Sequence, residues 1–198
     1  MKLYSSPTSP YARKARILII ELGLEEVVEV YNTVPMENPA ELQASNPIGK
    51  VPSLQLDDGS SLYDSPVICE YIDAQNGNKF LPASGDARWD CLRRQALCDG
   101  VIDASFNRTM ERLKPDEQQS AMWLERWVNA INRSLGEMEN DIAGQGDRFD
   151  LGDVTAAAAL GYLDLRHGDL DWRNGHDELA DWFKTVSKRP SVAATVPG

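Results

Sequence analysis

Asn46-Pro47-Ile48-Gly49-Lys50-Val51-Pro52-Ser53-Leu54, continued by Leu62-Tyr63-Asp64-Ser65-Pro66-Val67-Ile68, is the stretch that decides how this chain folds. It reads as a turn, a strand entered through Val51-Pro52, a hairpin at Asp57-Asp58-Gly59, a second strand and a helix start. An X-Pro bond ahead of a strand is a place for a cis peptide. There it would turn the Val51 amide and carbonyl outward, toward a peptide-like partner. Ser65-Pro66 reads as a helix opening, with Ser65 at the N-cap and Pro66 at the first helical position, where its missing N–H costs nothing. The free N–H groups and positive dipole end of such a helix attract an anion.

Upstream, Lys2 to Ser5 reads as a strand, followed by a polar turn with two prolines, Ser6-Pro7-Thr8-Ser9-Pro10. Ala15, Leu18, Ile19 and Leu22 fall at i, i+3, i+4 and i+7 and predict a helix. Ser9 is its N-cap, Pro10 its first residue and Gly23 its stop. Val27 to Tyr31 is a β-branched run that predicts a second strand, and Asn38 to Ser45 a short helix. The hairpin Val51–Leu56 with Ser61–Tyr63 and a helix over Pro66–Asn76 complete the order β-α-β-α-β-β-α. Such an order implies a mixed sheet with helices on both faces. The crossover rule fixes the hand of its first βαβ unit.

Residues 77–86 have linker composition, and beyond them no strand is convincing. Helical periodicity runs from Ala87 to about Leu113, Asp116 to about Ala143, Leu151 to about Arg166 and Asp177 to Lys188. The expected domains are therefore residues 1–78, an α/β unit, and 86–198, all-helical. Asp150 and Asp153 stand where a capping box would open the third of these helices, with Phe149 and Val154 as its hydrophobic staple. The helix they open, Val154 to Gly161, is apolar nearly all round and belongs at the centre of a bundle.

The 198 residues carry a net charge of −11, 42% hydrophobic and 26% charged residues. That composition is of an ordinary globular protein, and its field repels nucleic acid and anionic membrane surfaces. Met1 leads straight into the first strand, and no run of 18 apolar residues occurs; the expected setting is the cytoplasm, with no nucleic-acid and no membrane partner. Three cysteines, Cys69, Cys91 and Cys98, form no C-x-x-C pair and lie in helical patterns, where free Cys behaves as a small hydrophobe. Neither His167 nor His176 has metal-ligand spacing with them, so no metal is expected. The five tryptophans, among them Trp89, are read as core or interface packing, and Arg13 and Arg16 as surface or interdomain charges.

Four segments together resemble the cytosolic glutathione S-transferase family: Ser-Pro-Thr-Ser-Pro-Tyr after the first strand, Asn-Pro-Ile-Gly-Lys-Val-Pro-Ser-Leu, Tyr-Asp-Ser-Pro-Val-Ile-Cys-Glu-Tyr-Ile, and Asp-Leu-Gly-Asp-Val. The likeness spans both halves in the family's order and is closest to its serine-type, tau-like and related bacterial members. It implies a thioredoxin-like domain followed by a helical domain, with a role in detoxification. By this resemblance Ser9 is the catalytic hydroxyl, Lys50 and Val51 bind the glycyl and cysteinyl parts of glutathione, and Asp64 and Ser65 its γ-glutamyl end. Glutathione is then the co-substrate, a small hydrophobic electrophile the second substrate, and a homodimer the expected assembly. The family's γ-glutamyl acid is often Glu, one methylene longer than Asp64, and its late capping box usually begins with Ser or Thr where this chain has Asp150.

The chemistry needs a thiolate, and a free thiol near pKa 8.5 is only a few per cent thiolate at neutral pH. Ser9 could supply an O–H donor to sulfur while the first helical turn adds positive potential. Ser5, Ser6 and Thr8 are rivals for that hydroxyl role. A cysteine at position 9 would favour mixed-disulfide chemistry, and its absence argues against a reductase. Tyr11, Met36, Phe106, Arg108 and Met110 are candidate lining residues for the electrophile. Trp89, Leu92, Ala96 and Asp99 form a candidate dimer stripe, with Asp103 one turn on. Two other readings keep the fold: a glutathione-dependent isomerase, dehalogenase or peroxidase, and a non-catalytic module for protein contacts.

Overall fold

A computed structural model describes all 198 residues. Its first unit is a four-stranded sheet in the order β2-β1-β3-β4, made of β1 (Lys2–Ser5), β2 (Glu29–Asn32), β3 (Ser53–Gln55) and β4 (Ser61–Leu62). β2 runs parallel to β1, with Leu3 opposite Val30. β3 runs antiparallel to both β1 and β4, with Leu3 opposite Leu54 and Leu54 opposite Leu62. Helices α1 (Pro10–Glu21), α2 (Ala40–Ser45) and α3 (Ser65–Gln75) complete the unit. This is the β-α-β-α-β-β-α order read from the sequence, and its architecture is thioredoxin-like.

The local signals around α1 work as expected. Ser9 caps it, its Oγ accepting from the Ala12 amide at 3.2 Å. Gly23 takes φ +68°, a left-handed conformation open to glycine, and ends it. The helix is buried on more than one side, because Ala15, Ile17, Leu18 and Ile19 pack into the core while Arg13 and Lys14 are buried as well. α1 packs against α3 of its own unit and against the Leu151–Arg166 and Pro190–Ala193 helices of the helical unit.

Several boundaries differ from the sequence reading. The second strand begins at Glu29, not Val27, and the hairpin strands are shorter than their hydrophobic runs. Residues Pro35–Glu37 form a single tight turn and α2 starts only at Ala40, just after Pro39. The N-cap of α3 is Asp64 and Ser65 is its first helical residue, one step from the expected assignment. The reason is backbone conformation: Asp64 is extended, with φ −92° and ψ −156°, and its carbonyl accepts the first helical bond, from Ile68 at 3.0 Å.

The second unit is all-helical: α4 (Asp86–Arg112), α5 (Ala121–Ile142), α6 (Leu151–Arg166), α7 (Asp177–Val186) and a short α8 (Pro190–Ala193) that sequence periodicity missed. α5 begins at Ala121 because Ser120 caps it, its Oγ accepting from the Trp123 amide, whereas Asp116–Gln118 make only a single turn. α6 is buried from Leu151 to Leu163 and lies at the bundle centre. Its capping box is complete: Asp150 accepts from the amides of Gly152 and Asp153, and Asp153 accepts from the Asp150 amide at 3.0 Å. Asp150 also takes a bidentate contact from the buried Arg94 of α4, so cap and ion pair share one carboxylate.

The segment with linker composition is held fast. The Asp73 carboxylate of α3 accepts from the amides of Lys79, Phe80 and Leu81 at 2.7–3.2 Å. Phe80 and Leu81 are themselves buried, and the Phe80 carbonyl accepts from the Leu151 amide at 2.9 Å. One core runs through both units, from Leu3 and Leu54 in the sheet to Leu160 and Val192 at the far end. No helix is long and apolar enough to cross a membrane.

Candidate functional site

Strand directions assemble the site. β4 runs parallel to β1, since both are antiparallel to β3. The C-terminal ends of β1 and β4 and the N-terminal end of β3 therefore share one end of the sheet. Ser9 follows β1, Lys50 and Val51 precede β3, and Asp64 and Ser65 follow β4. All five residues singled out in the sequence thus meet at one end, where α1 and α3 both begin. Two sets of first-turn amides open toward it, since a helix leaves its first N–H groups without intrahelical partners.

Each residue arrives there with polar groups to spare. Ser9 Oγ accepts from Ala12, which leaves its O–H hydrogen free to donate. Val51 follows a turn built by Asn46, which is buried: its Oδ1 accepts from the Ile48 amide at 3.0 Å and its Nδ2 donates to the Lys50 carbonyl at 2.8 Å. Gly49 closes that turn at φ +69°, where a side chain would be strained. The Val51–Pro52 peptide is cis, and neither the amide nor the carbonyl of Val51 takes a backbone partner. Lys50 is exposed, and Asp64 is exposed with no capping bond from its side chain. Ser65 is buried. Asn46 is the positioning residue that sequence reasoning passed over; its place at the head of Asn-Pro-x-Gly was the available signal.

The rival hydroxyls are placed differently. Ser5 is fully buried and its Oγ has no partner, while Ser6 and Thr8 face each other at 3.5 Å. Cys69, Cys91 and Cys98 are buried free thiols; burial pushes Cys69 up to about 12 and Cys91 up to about 11, and raises Cys98 as well. None is a nucleophile in that state.

α4 lies against α1, the helix that Ser9 caps. The Tyr11 hydroxyl donates to Asp103, and its ring lies edge-on to Phe106 with centroids 6.2 Å apart. Burial, then the bond and charge of Asp103, raise the Tyr11 pKa, so its phenol keeps its proton. One turn along, the buried Lys14 donates to Asp99 at 2.5 Å. Burial pushes the Asp99 carboxyl above its usual range, Lys14 pulls it back, and Asp103 and Asp64 add to the rise. Asp99 is thereby spent on Lys14, which corrects its place in the dimer stripe. Arg108 is corrected too: it is buried against His167 and Asp169, away from the cleft lining expected for it. Met36 is exposed on the turn before α2. Trp89, read as core or interface packing, is 67% exposed and so is no core residue.

Comparison with known proteins agrees with this geometry. Residues 3–80 match the glutathione S-transferase N-terminal domain and residues 121–185 the corresponding C-terminal domain. The GST-like protein YibF of Escherichia coli (strain K12) is 34% identical over 201 residues, covering 100% of this chain and 98% of that one. A glutathione transferase family member from Pseudomonas fluorescens Pf-5, solved with bound glutathione, is 42% identical, covers 100% of this chain and 98% of its own, and has a TM-score of 0.95. A glutathione S-transferase from Methylobacillus flagellatus KT, solved with glutathione bound, is 36% identical, covers 100% of this chain and 99% of its own, and has a TM-score of 0.93. With both domain types in order and relatives matching end to end, this chain belongs to the glutathione S-transferase family.

Proposed function

We propose that this protein is a glutathione transferase that adds the thiolate of glutathione to small hydrophobic electrophiles. The observation that carries the reading is the meeting of the unpaired Val51 backbone, the free Ser9 O–H and the openings of α1 and α3 at one end of the sheet. A tripeptide thiol fits that set. Its cysteinyl backbone pairs with Val51 in the manner of an added strand, its γ-glutamyl carboxylate takes Ser65 and the first amides of α3, and its ammonium takes Asp64. Lys50 meets the glycyl carboxylate. The thiol gives its proton to solvent, Ser9 donates to the thiolate that remains, and the new C–S bond forms as a π bond of the electrophile opens or its leaving group departs with the bonding pair.

The two units divide the work in this reading: residues 1–78 hold glutathione, and 86–198 bring Tyr11's partners Asp103 and Phe106 over the sulfur to receive the electrophile. Glutathione bound in the Pseudomonas and Methylobacillus relatives supports the co-substrate. A homodimer and a cytoplasmic setting belong to the same proposal, the latter in keeping with three free thiols.

Calorimetric titration with glutathione tests it. The parent binds, and Ser65→Ala weakens binding by about 1.5–3 kcal/mol, the cost of a hydrogen bond to a charged group. Because Ser65 is not the N-cap, its loss leaves stability nearly unchanged. A parent that binds no glutathione, or a mutant of equal affinity, refutes the assignment.

A further inference from the structure

One carboxylate beside the first turn of α1 has no cation to balance it. Tyr11 lies two residues beyond Ser9, in that turn, and its hydroxyl donates to Asp103 of α4. Asp103, Phe106 and Met110 recur at i, i+3 and i+7 and so share one face of α4. Phe106 meets the Tyr11 ring edge-on. Asp103 is exposed, and its single side-chain bond comes from a neutral phenol. Neighbouring cations on α1 and α4 are engaged elsewhere. Lys14 is buried against Asp99, Arg13 holds the carbonyls of Ala157 and Val192, and Arg108 and Arg112 grip Asp169. Asp64 and Asp103 both push the Asp99 carboxyl further up, so the three acids share one negative field, with Lys14 set against it.

In the proposed reaction the electrophile is received by Tyr11, Asp103 and Phe106, while Lys50 is taken by the glycyl carboxylate. Water screens Asp103 in the open cleft, but an aromatic electrophile that fills the cleft displaces that water and lowers the local dielectric. A second negative charge brought there meets Asp103 with no cation between them. We infer that Asp103 is a specificity-determining residue: it admits neutral and cationic electrophiles and turns away anionic ones. This rests on the glutathione transferase reading and names the substrate class within it. Loss of the Asp103 charge would also favour the thiolate, but that gain speeds every electrophile alike. A ratio between two electrophiles therefore isolates the effect on the second substrate.

The test pairs 4-chloro-3,5-dinitrobenzoate with 4-chloro-3,5-dinitrobenzamide, which share ring and leaving group and differ by one charge. With either, the thiolate forms a C–S bond at the carbon bearing chlorine, and chloride departs with the bonding pair. Each kcat/KM is divided by the rate of free glutathione with the same compound. The amide should then be favoured about fivefold or more, as like charges within a Debye length near a protein surface require. Salt at about 0.5 M should shrink that ratio. Asp103→Asn, whose amide oxygen can still accept from Tyr11, should bring the ratio near one, whereas Tyr11→Phe, which leaves the carboxylate in place, should not. Calorimetric titration of the two glutathione conjugates reads the same preference without turnover. Equal preference for benzoate and amide in the parent, or an unchanged ratio in Asp103→Asn, overturns the inference while glutathione binding stands. A parent that binds no glutathione overturns the transferase reading itself, and the inference with it.

Discussion

Arg108 Nη1 lies 2.6 Å from His167 Nδ1, deep between α4 and the end of α6. Since the guanidinium can only donate, Nδ1 is the acceptor and the imidazole is neutral. Its Nε2–H then donates to the Ser105 carbonyl at 2.9 Å. Asp169, which also grips Arg108 and Arg112, is held down to about 2 and stays ionised.

Stability should therefore fall on mild acidification. Burial, and then Arg108, lower the His167 pKa below its ordinary 6.5, while the Ser105 carbonyl works the other way. The unfolded chain binds this proton more readily than the native one. The contribution of His167 is thus complete above the unfolded value and is lost as pH falls through the native one. Thermal melts across that window should show an acid slope that His167→Gln flattens, while costing about 1–3 kcal/mol at pH 8 for the disturbed bonds. An unchanged slope would detach His167 from the effect.

Ser9 is expected to act on the thiolate more than on binding. Ser9→Ala removes a donor to a charged sulfur, worth about 1.5–3 kcal/mol, so the pKa of bound glutathione should rise by about 1–2 units. The rate at neutral pH should fall with the thiolate fraction. Loss of the cap should cost about 1 kcal/mol of stability. Thiolate absorbance of bound glutathione against pH reads the change; an unmoved midpoint removes Ser9 from the mechanism and leaves Ser6 and Thr8 as the hydroxyls to test.

Gly161→Ala should be far worse than Gly136→Ala. A Cβ on Gly161 would come within 2.0 Å of Arg13 Nη1, whereas one on Gly136 meets nothing within 4 Å. Arg13 is buried, and its guanidinium holds the carbonyls of Ala157 and Val192 and the hydroxyl of Thr195. Displacing it should cost about 2–3 kcal/mol and loosen the C-terminal segment. At Gly136, inside a helix, alanine should add about 0.5–1 kcal/mol. Urea unfolding measures both, and limited proteolysis near Val192 reports the loosening.

The proposed dimer has a revised face. Tyr63, Val67 and Trp89 are exposed apolar residues, and the ion pair of Arg88 with Glu70 at 2.6 Å ties α4 to α3 between them. Light scattering should return about twice the 22.0 kDa of one chain, and Trp89→Glu should shift it toward one. A parent mass of a single chain rejects the assembly.

Sequence alone determined the order of elements from β1 to α7, because local signals wrote it: Ser9-Pro10 and Gly23 at the ends of α1, Asp150 and Asp153 at the head of α6, Asp58-Gly59 between β3 and β4. It also marked the five residues that meet at one end of the sheet, since the turns and helix openings that place them are short-range. Tertiary structure alone decided which charges are internal. Arg13 reads as a surface or interdomain charge, yet it and its neighbour Lys14 are both buried, since the partners that make burial tolerable, Asp99 and the backbone of Ala157 and Val192, lie 85 to 179 residues away. The same holds for Asp73, whose carboxylate turns an apparent linker into a fixed joint, and for Arg108, drawn from the cleft by His167 and Asp169. Periodicity records whether a side chain is apolar; it carries no record of which distant donor or acceptor will meet a polar one, and desolvation makes that meeting decisive.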